Sequence, residues 1–214
     1  MDKSNKINNK DNVRLFSKIC FSIGLLGNVV FILLISIAHY FAIENGYDWK
    51  VWELSELVLY GSTSKILFNF AVIFNGFCLL FLTFPITNYF QKLKIPYLIL
   101  VIIIALSLIC IGAVSEDIFQ IVHVFFAGIF FILTTCLILF ISTYIIIKKK
   151  ELSVFYPFSG FFVALFLIFH LATRPFFGMA YTQRIAIFIS MVFLMAISGK
   201  ILLSDFNPFS YEKI

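Results

Sequence analysis

The sequence predicts an all-helical, polytopic membrane protein: a six-transmembrane-helix bundle with a short interfacial helix in its first outer loop. Three observations carry this. Of 214 residues, 62% are hydrophobic and only 13% charged, with a mean hydropathy of +1.04; a water-soluble domain carries about 25% charged residues. That leaves too few polar side chains to cover a globule in water, so lipid must be the main solvent. Six apolar runs are each long enough to cross a hydrocarbon core of about 30 Å at about 1.5 Å per residue. The basic residues behind the net charge of +5 sit in short clusters between those runs. Such clusters are topology signals and argue against nucleic acid as a partner, which would call for one basic face.

The polar opening, MDKSNKINNKDN, lacks the apolar content that offsets ordering entropy, so residues 1–14 are expected to form a disordered cytoplasmic tail. The first span is Ile19 to Ala42. It is longer than the apolar core of a signal peptide, about 7–15 residues, so it stays attached. In the outer loop Asn45-Gly46 marks a turn. Asp48 then caps a helix over DWKVWELSELVLYG, whose Trp49, Trp52 and Tyr60 suit the headgroup level. Ser64 is the expected N-cap of the second span, Ile66 to Phe90. The third and fourth spans, Ile95 to Val114 and Phe119 to Ile147, are separated only by the Ser-Glu-Asp turn and must form a tight hairpin. The fifth, Val154 to Ala172, should end near Thr173, because Pro175 disfavours a helical Arg174 and sets it on a rigid turn. The sixth is Ile185 to Leu203. The transmembrane domain is therefore 15–205, followed by a cytoplasmic tail, 206–214.

An even number of spans puts both termini on one side. That side holds twelve basic residues (Lys3, Lys6, Lys10, Arg14, Lys18, Lys92, Lys94, Lys148, Lys149, Lys150, Lys200, Lys213) against four opposite (Lys50, Lys65, Arg174, Arg184). Positive residues stay inside, so both termini are expected in the cytoplasm, in the cytoplasmic membrane if the source is prokaryotic. Cys20, Cys78, Cys110 and Cys136 all lie in apolar runs without a CxxC neighbour and read as small buried hydrophobes. No HExxH, GxSxG or glycine-rich phosphate loop is present, so no catalytic residue is assigned.

Polar residues within the spans fall into stripes. Asn28 and His39 are close to three turns apart in the first span, beside Gly24 and Gly27, which would admit a neighbouring helix closely. Asn69, Gly76 and Thr83 repeat every seven residues in the second. If the fourth helix starts early, Glu116, Gln120 and His123 share a face that continues through Ala127 to Thr134. Asn28, Asn69, Asn75 and Thr134 read as groups bonding across helix interfaces. By the alternation of the spans, His39, His123 and His170 lie at one depth, level with Glu116, Asp117, Arg174 and Arg184 and below Glu56 of the loop. Ionisable groups at that level cost several kcal/mol unless paired or wetted, which predicts an outward-facing polar pocket. Its candidate residues are Ser55, Glu56, Asn69, Glu116, Asp117, Gln120, His123, His170, Arg174 and Arg184.

Three explanations stand for that pocket. Arg174 and Arg184 pair with Glu116, Asp117 or Glu56 and hold the helix ends together. The arginines receive a lipid headgroup or another anionic amphiphile. Or His39, His123 and His170, with Asp117 or Glu116, bind zinc and a hydrolytic water; zinc is the one cofactor the residues suggest, and no HxxxH spacing supports it.

The order of the motifs resembles a known family: LSEL-x-x-x-GS in the first outer loop, Asn69 and then Asn75-Gly76 in the second span, G-x-V-x-E-D at the hairpin, and His123 opening the fourth span. It is similar to the prokaryotic six-span membrane family called domain of unknown function 998, with similarity to the wider Frag1/DRAM/Sfk1 group. The resemblance runs from about residue 15 to 205 and falls on Leu54, Ser55, Glu56, Gly61, Asn69, Gly76, Gly112, Glu116, Asp117 and His123. It implies a six-span architecture and a tie to lipids or membrane organisation, and no settled activity. The leading expectation is a non-enzymatic protein that recognises membrane lipids or a membrane partner. The alternatives are a metal-dependent intramembrane hydrolase and a small transporter; the latter would need a homo-oligomer.

Overall fold

The computed structural model describes residues 3–90, 93–148, 153–177 and 180–203, with side chains other than those of 3–11, 88, 148 and 174–177. Six helices follow in order: α1 (Lys3–Glu44), α2 (Ser62–Tyr89), α3 (Lys94–Ala113), α4 (Glu116–Lys148), α5 (Phe155–Phe177) and α6 (Ala180–Leu203), with a 3-10 helix (Ser55–Leu59) between α1 and α2. No strand is present among the described residues. Each of the six contains a segment long and apolar enough to cross a membrane. Only 33–44% of the most apolar window of each is buried inside the bundle, so most of that apolar surface faces outward, as lipid as solvent requires. The chain is an integral, multi-pass membrane protein.

Each helix packs on the next, and α6 returns to α1 and α2, closing a ring. Small residues set the tightest approach. A Cβ on Gly24 would lie 2.5 Å from the Cα of Leu82, and one on Gly27 would lie 2.2 Å from the Cβ of Cys78. The glycines of the first span therefore do admit α2 closely. Two apolar clusters fill the ring. One gathers Phe31, Ile35, Tyr47, Leu54, Leu57, Phe68 and Leu108 around the 45–61 loop. The other gathers Leu82, Phe90, Tyr97, Phe131, Ile138, Leu167 and Ile197 toward the opposite end.

Several boundaries differ from the sequence reading. α1 begins at Lys3, inside the polar stretch read as a tail; residues 206–214, read as the other tail, lie outside the described residues. The first outer loop is helical only over Ser55–Leu59, in place of a helix capped by Asp48. Asp48 instead accepts from the N–H of Lys50 at 2.9 Å, and the Tyr47 hydroxyl takes the carbonyls of Trp52 and Glu53. Carbonyls spent on a side chain are withdrawn from a helix ladder. α2 is capped by Gly61 at φ 113°, a backbone region that favours glycine. Ser64, the expected cap, donates to the carbonyl of Leu57 at 2.9 Å. α5 runs past Thr173 through Pro175 to Phe177. A proline in a last turn forfeits only one helical hydrogen bond there, so its preference for an earlier stop is overridden. The Arg174 backbone is thus helical, and its side chain lies outside the described residues.

Candidate functional site

The α3–α4 hairpin is as tight as expected. Val114 closes α3 by donating its N–H to Cys110 at 2.8 Å, and Glu116 opens α4. The first turn of α4 ends at Phe119, whose φ −135° and ψ 61° are not helical. That kink reorganises the predicted stripe. Glu116 and His123 come together, with Oε2 3.8 Å from Nε2, while Gln120 is left exposed. Nδ1 of His123 lies 2.9 Å from the Val114 carbonyl, which can only accept, so Nδ1 carries the proton and Nε2 presents a lone pair in the neutral ring. His123 is 2% exposed and Glu116 9%, and neither Nε2 nor Oε2 has a hydrogen-bond partner among the described residues.

The other ionisable groups are distributed around this end of the bundle. Asp117 pairs with Lys65 at 2.6 Å and accepts from Ser115, so its partner is a lysine of α2 in place of the expected arginine. Arg184 gives its Nη groups to Ala180 O at 2.8 Å, Trp52 O at 2.9 Å and the Tyr47 hydroxyl. Burial pushes the Tyr47 hydroxyl up to about 12; the Arg184 charge opposes this and Glu56 adds to it. Burial, and then Glu56, raise Tyr60 as well. Glu56 accepts from the N–H of Glu53 within the loop. His39 donates to Ile35 O at 2.9 Å and packs edge-on to Tyr47; His170 stands 2.9 Å from the Thr182 hydroxyl and against Phe131. The four residues named as zinc ligands, His39, His123, His170 and Asp117, are therefore on separate neighbours. No group of three His, Cys, Asp or Glu is gathered at metal distance among the described residues.

Between the two apolar clusters lies a cavity enclosing about 950 Å³ free of protein atoms, counting the part that opens outward. α1, α2, α3, α4 and α6 supply its walls, and Leu54 and Ser55 of the loop cover one end. His123 and Leu137 both line it and stand about 21 Å apart along α4. The lining is chiefly Leu, Ile, Phe, Val and Met, with polar points at Asn28, Asn75, Thr134, Ser190, Gln183, Ser55 and His123. Ser55 and His123 were named from sequence. Asn69, Glu116, Asp117, Gln120, His170 and Arg184 are not on this wall, although Asn69 Oδ1 is buried without a partner among the described residues.

Asn28 and Thr134 depart from the expectation of bonds across helix interfaces. Asn28 donates to Gly24 of its own helix at 3.1 Å, and the Thr134 hydroxyl has no partner among the described residues. Gln183 escaped the sequence reading. It accepts from Leu54 N–H at 2.6 Å and donates to Glu53 at 3.1 Å, pinning the loop over the cavity. The signal for it was a polar pair, Gln183-Arg184, one turn inside the last helix.

A family model described as a protein of unknown function (DUF998) matches residues 25–199, most of the chain. The chain belongs to the DUF998 family. No curated protein and no solved structure matches it. The matched region of this DUF998 protein contains the loop, the hairpin and every residue lining the cavity.

Proposed function

We propose that this protein holds one amphiphile, with a single hydrocarbon chain, inside its helix ring, and acts as a lipid-recognising membrane protein without chemistry of its own. The observation that supports this reading is the cavity: long, largely apolar, walled by five of the six helices and roofed by a pinned loop. The few polar points along a hydrocarbon wall would orient a chain without demanding a charged ligand. The count of basic residues supports a membrane orientation with both termini in the cytoplasm and the 45–61 loop outside. The amphiphile would then be drawn from the outer leaflet.

Native mass spectrometry of protein extracted in a mild nonionic detergent tests the reading. The expected result is one retained amphiphile per chain. Ala127→Phe, which puts a ring into the cavity, should lose it while the melting temperature stays within a few degrees of the parent. Protein that retains no amphiphile and takes up none when single-chain amphiphiles are added would overturn the proposal.

A further inference from the structure

We infer that the head of the cavity's ligand is a hydrogen-bond donor, a primary ammonium, seated between Nε2 of His123 and Oε2 of Glu116. This rests on the amphiphile reading above and specifies its chemistry. Both atoms are buried and, among the described residues, without a hydrogen-bond partner. They are 3.8 Å apart, beyond hydrogen-bond reach of each other. The Val114 carbonyl takes the Nδ1 proton, so in the neutral tautomer Nε2 presents a lone pair toward the Glu116 carboxyl oxygen, and two acceptors cannot satisfy each other. What completes the pair is a donor with at least two hydrogens. A nitrogen about 2.9 Å from each atom forms a triangle on the 3.8 Å base with ordinary hydrogen-bond lengths.

Charge selects among donors. An unpaired buried carboxylate is costly. Lys65 is bound to Asp117, and among the described residues the ion-pair neighbour of Glu116 is the His123 imidazole itself. A primary ammonium supplies the missing positive charge and three N–H donors together. A hydroxyl has one hydrogen and no charge, and a quaternary ammonium has charge and no N–H. His123 lines the end of the cavity near the loop, and Glu116 stands just off that wall with Oε2 3.8 Å from the His123 Nε2, so a chain along the wall toward Leu137 brings its head to His123 and the carboxylate beside it.

The test compares dodecylamine, dodecanol and dodecyltrimethylammonium, equal in chain, added to purified wild type and Glu116→Gln protein in nonionic detergent and scored by native mass spectrometry. The wild type should bind the amine at least about tenfold more tightly than the other two, the difference expected of a charge-assisted hydrogen bond. In Glu116→Gln the preference should collapse while dodecanol binding is unchanged. Equal binding of all three by the wild type means that water satisfies the pair, which overturns the inference and leaves the cavity reading standing. A preference for the amine that survives Glu116→Gln overturns it too. Binding of none removes both proposals. If Glu116→Gln does not fold, the wild-type series decides alone.

Discussion

The side-chain carbonyl of Gln183 accepts the backbone N–H of Leu54 at 2.6 Å, across 129 residues of sequence. Leu54 lines the cavity, and Gln183 also holds Glu53. One residue of α6 thus fastens the loop that roofs the site. Gln183→Leu fills similar space and leaves a buried N–H unpaired, at a cost of about 1–3 kcal/mol. The expected outcome is a lower melting temperature and faster proteolytic cleavage within residues 45–61. An unchanged cleavage rate would show that the loop is held by other contacts.

Tyr47 adds a pH dependence to the same roof. Its hydroxyl donates to the carbonyls of Trp52 and Glu53 and accepts from Arg184. Burial holds its pKa at about 12 in the folded protein, above the ordinary value of about 10. The folded state therefore keeps a proton that the unfolded state releases, and stability falls as pH rises from about 10 to about 12. Loop proteolysis in the wild type should rise across that window. Tyr47→Phe should flatten this component of the pH profile while starting from a less stable loop at neutral pH. A parallel rise in wild type and variant would assign the transition to another group.

The six spans were legible because a run of about 20 apolar residues is a signal in itself, independent of its neighbours. The site was legible only in part. Alternation of the spans ranks residues by depth, and depth is one coordinate of two; rotation about each helix axis is the other. His39, His123 and His170 were assigned one level and nonetheless face Ile35, Val114 and Thr182. The kink at Phe119 had no proline or glycine beside it to announce it, yet it brings Glu116 to His123 and leaves Gln120 exposed. Asn28 and Thr134 were visible as polar positions within spans, but whether such a residue faces a partner helix or an empty space depends on packing that sequence periodicity does not encode.

Two glycines distinguish contact from conformational freedom. A Cβ on Gly24 would meet the backbone of Leu82 at 2.5 Å, so Gly24→Ala must push α2 away and should destabilise the bundle by about 1–3 kcal/mol. A Cβ on Gly128 would meet nothing within 4 Å, inside α4. Gly128→Ala should stabilise by about 0.5–1 kcal/mol through the backbone entropy that glycine loses on folding. Melting curves of the two variants should move in opposite directions; a shared sign would contradict the close α1–α2 approach.

Thr134 and Thr135 are adjacent, both buried, and differ in one respect. The Thr135 hydroxyl donates to Phe131 O at 2.8 Å, whereas Thr134 lines the cavity and its hydroxyl has no partner among the described residues. Valine replaces either residue at nearly the same shape. Thr135→Val removes a made hydrogen bond and should cost about 0.5–1.5 kcal/mol. Thr134→Val removes a desolvated, unsatisfied group and should raise the melting temperature of delipidated protein, by a gain of about 1–3 kcal/mol. A loss equal to that of Thr135→Val would mean that water fills the cavity at this depth and bonds the hydroxyl. The sign of the Thr134 effect therefore reports whether the middle of the cavity is dry, the condition under which a hydrocarbon chain is its natural occupant.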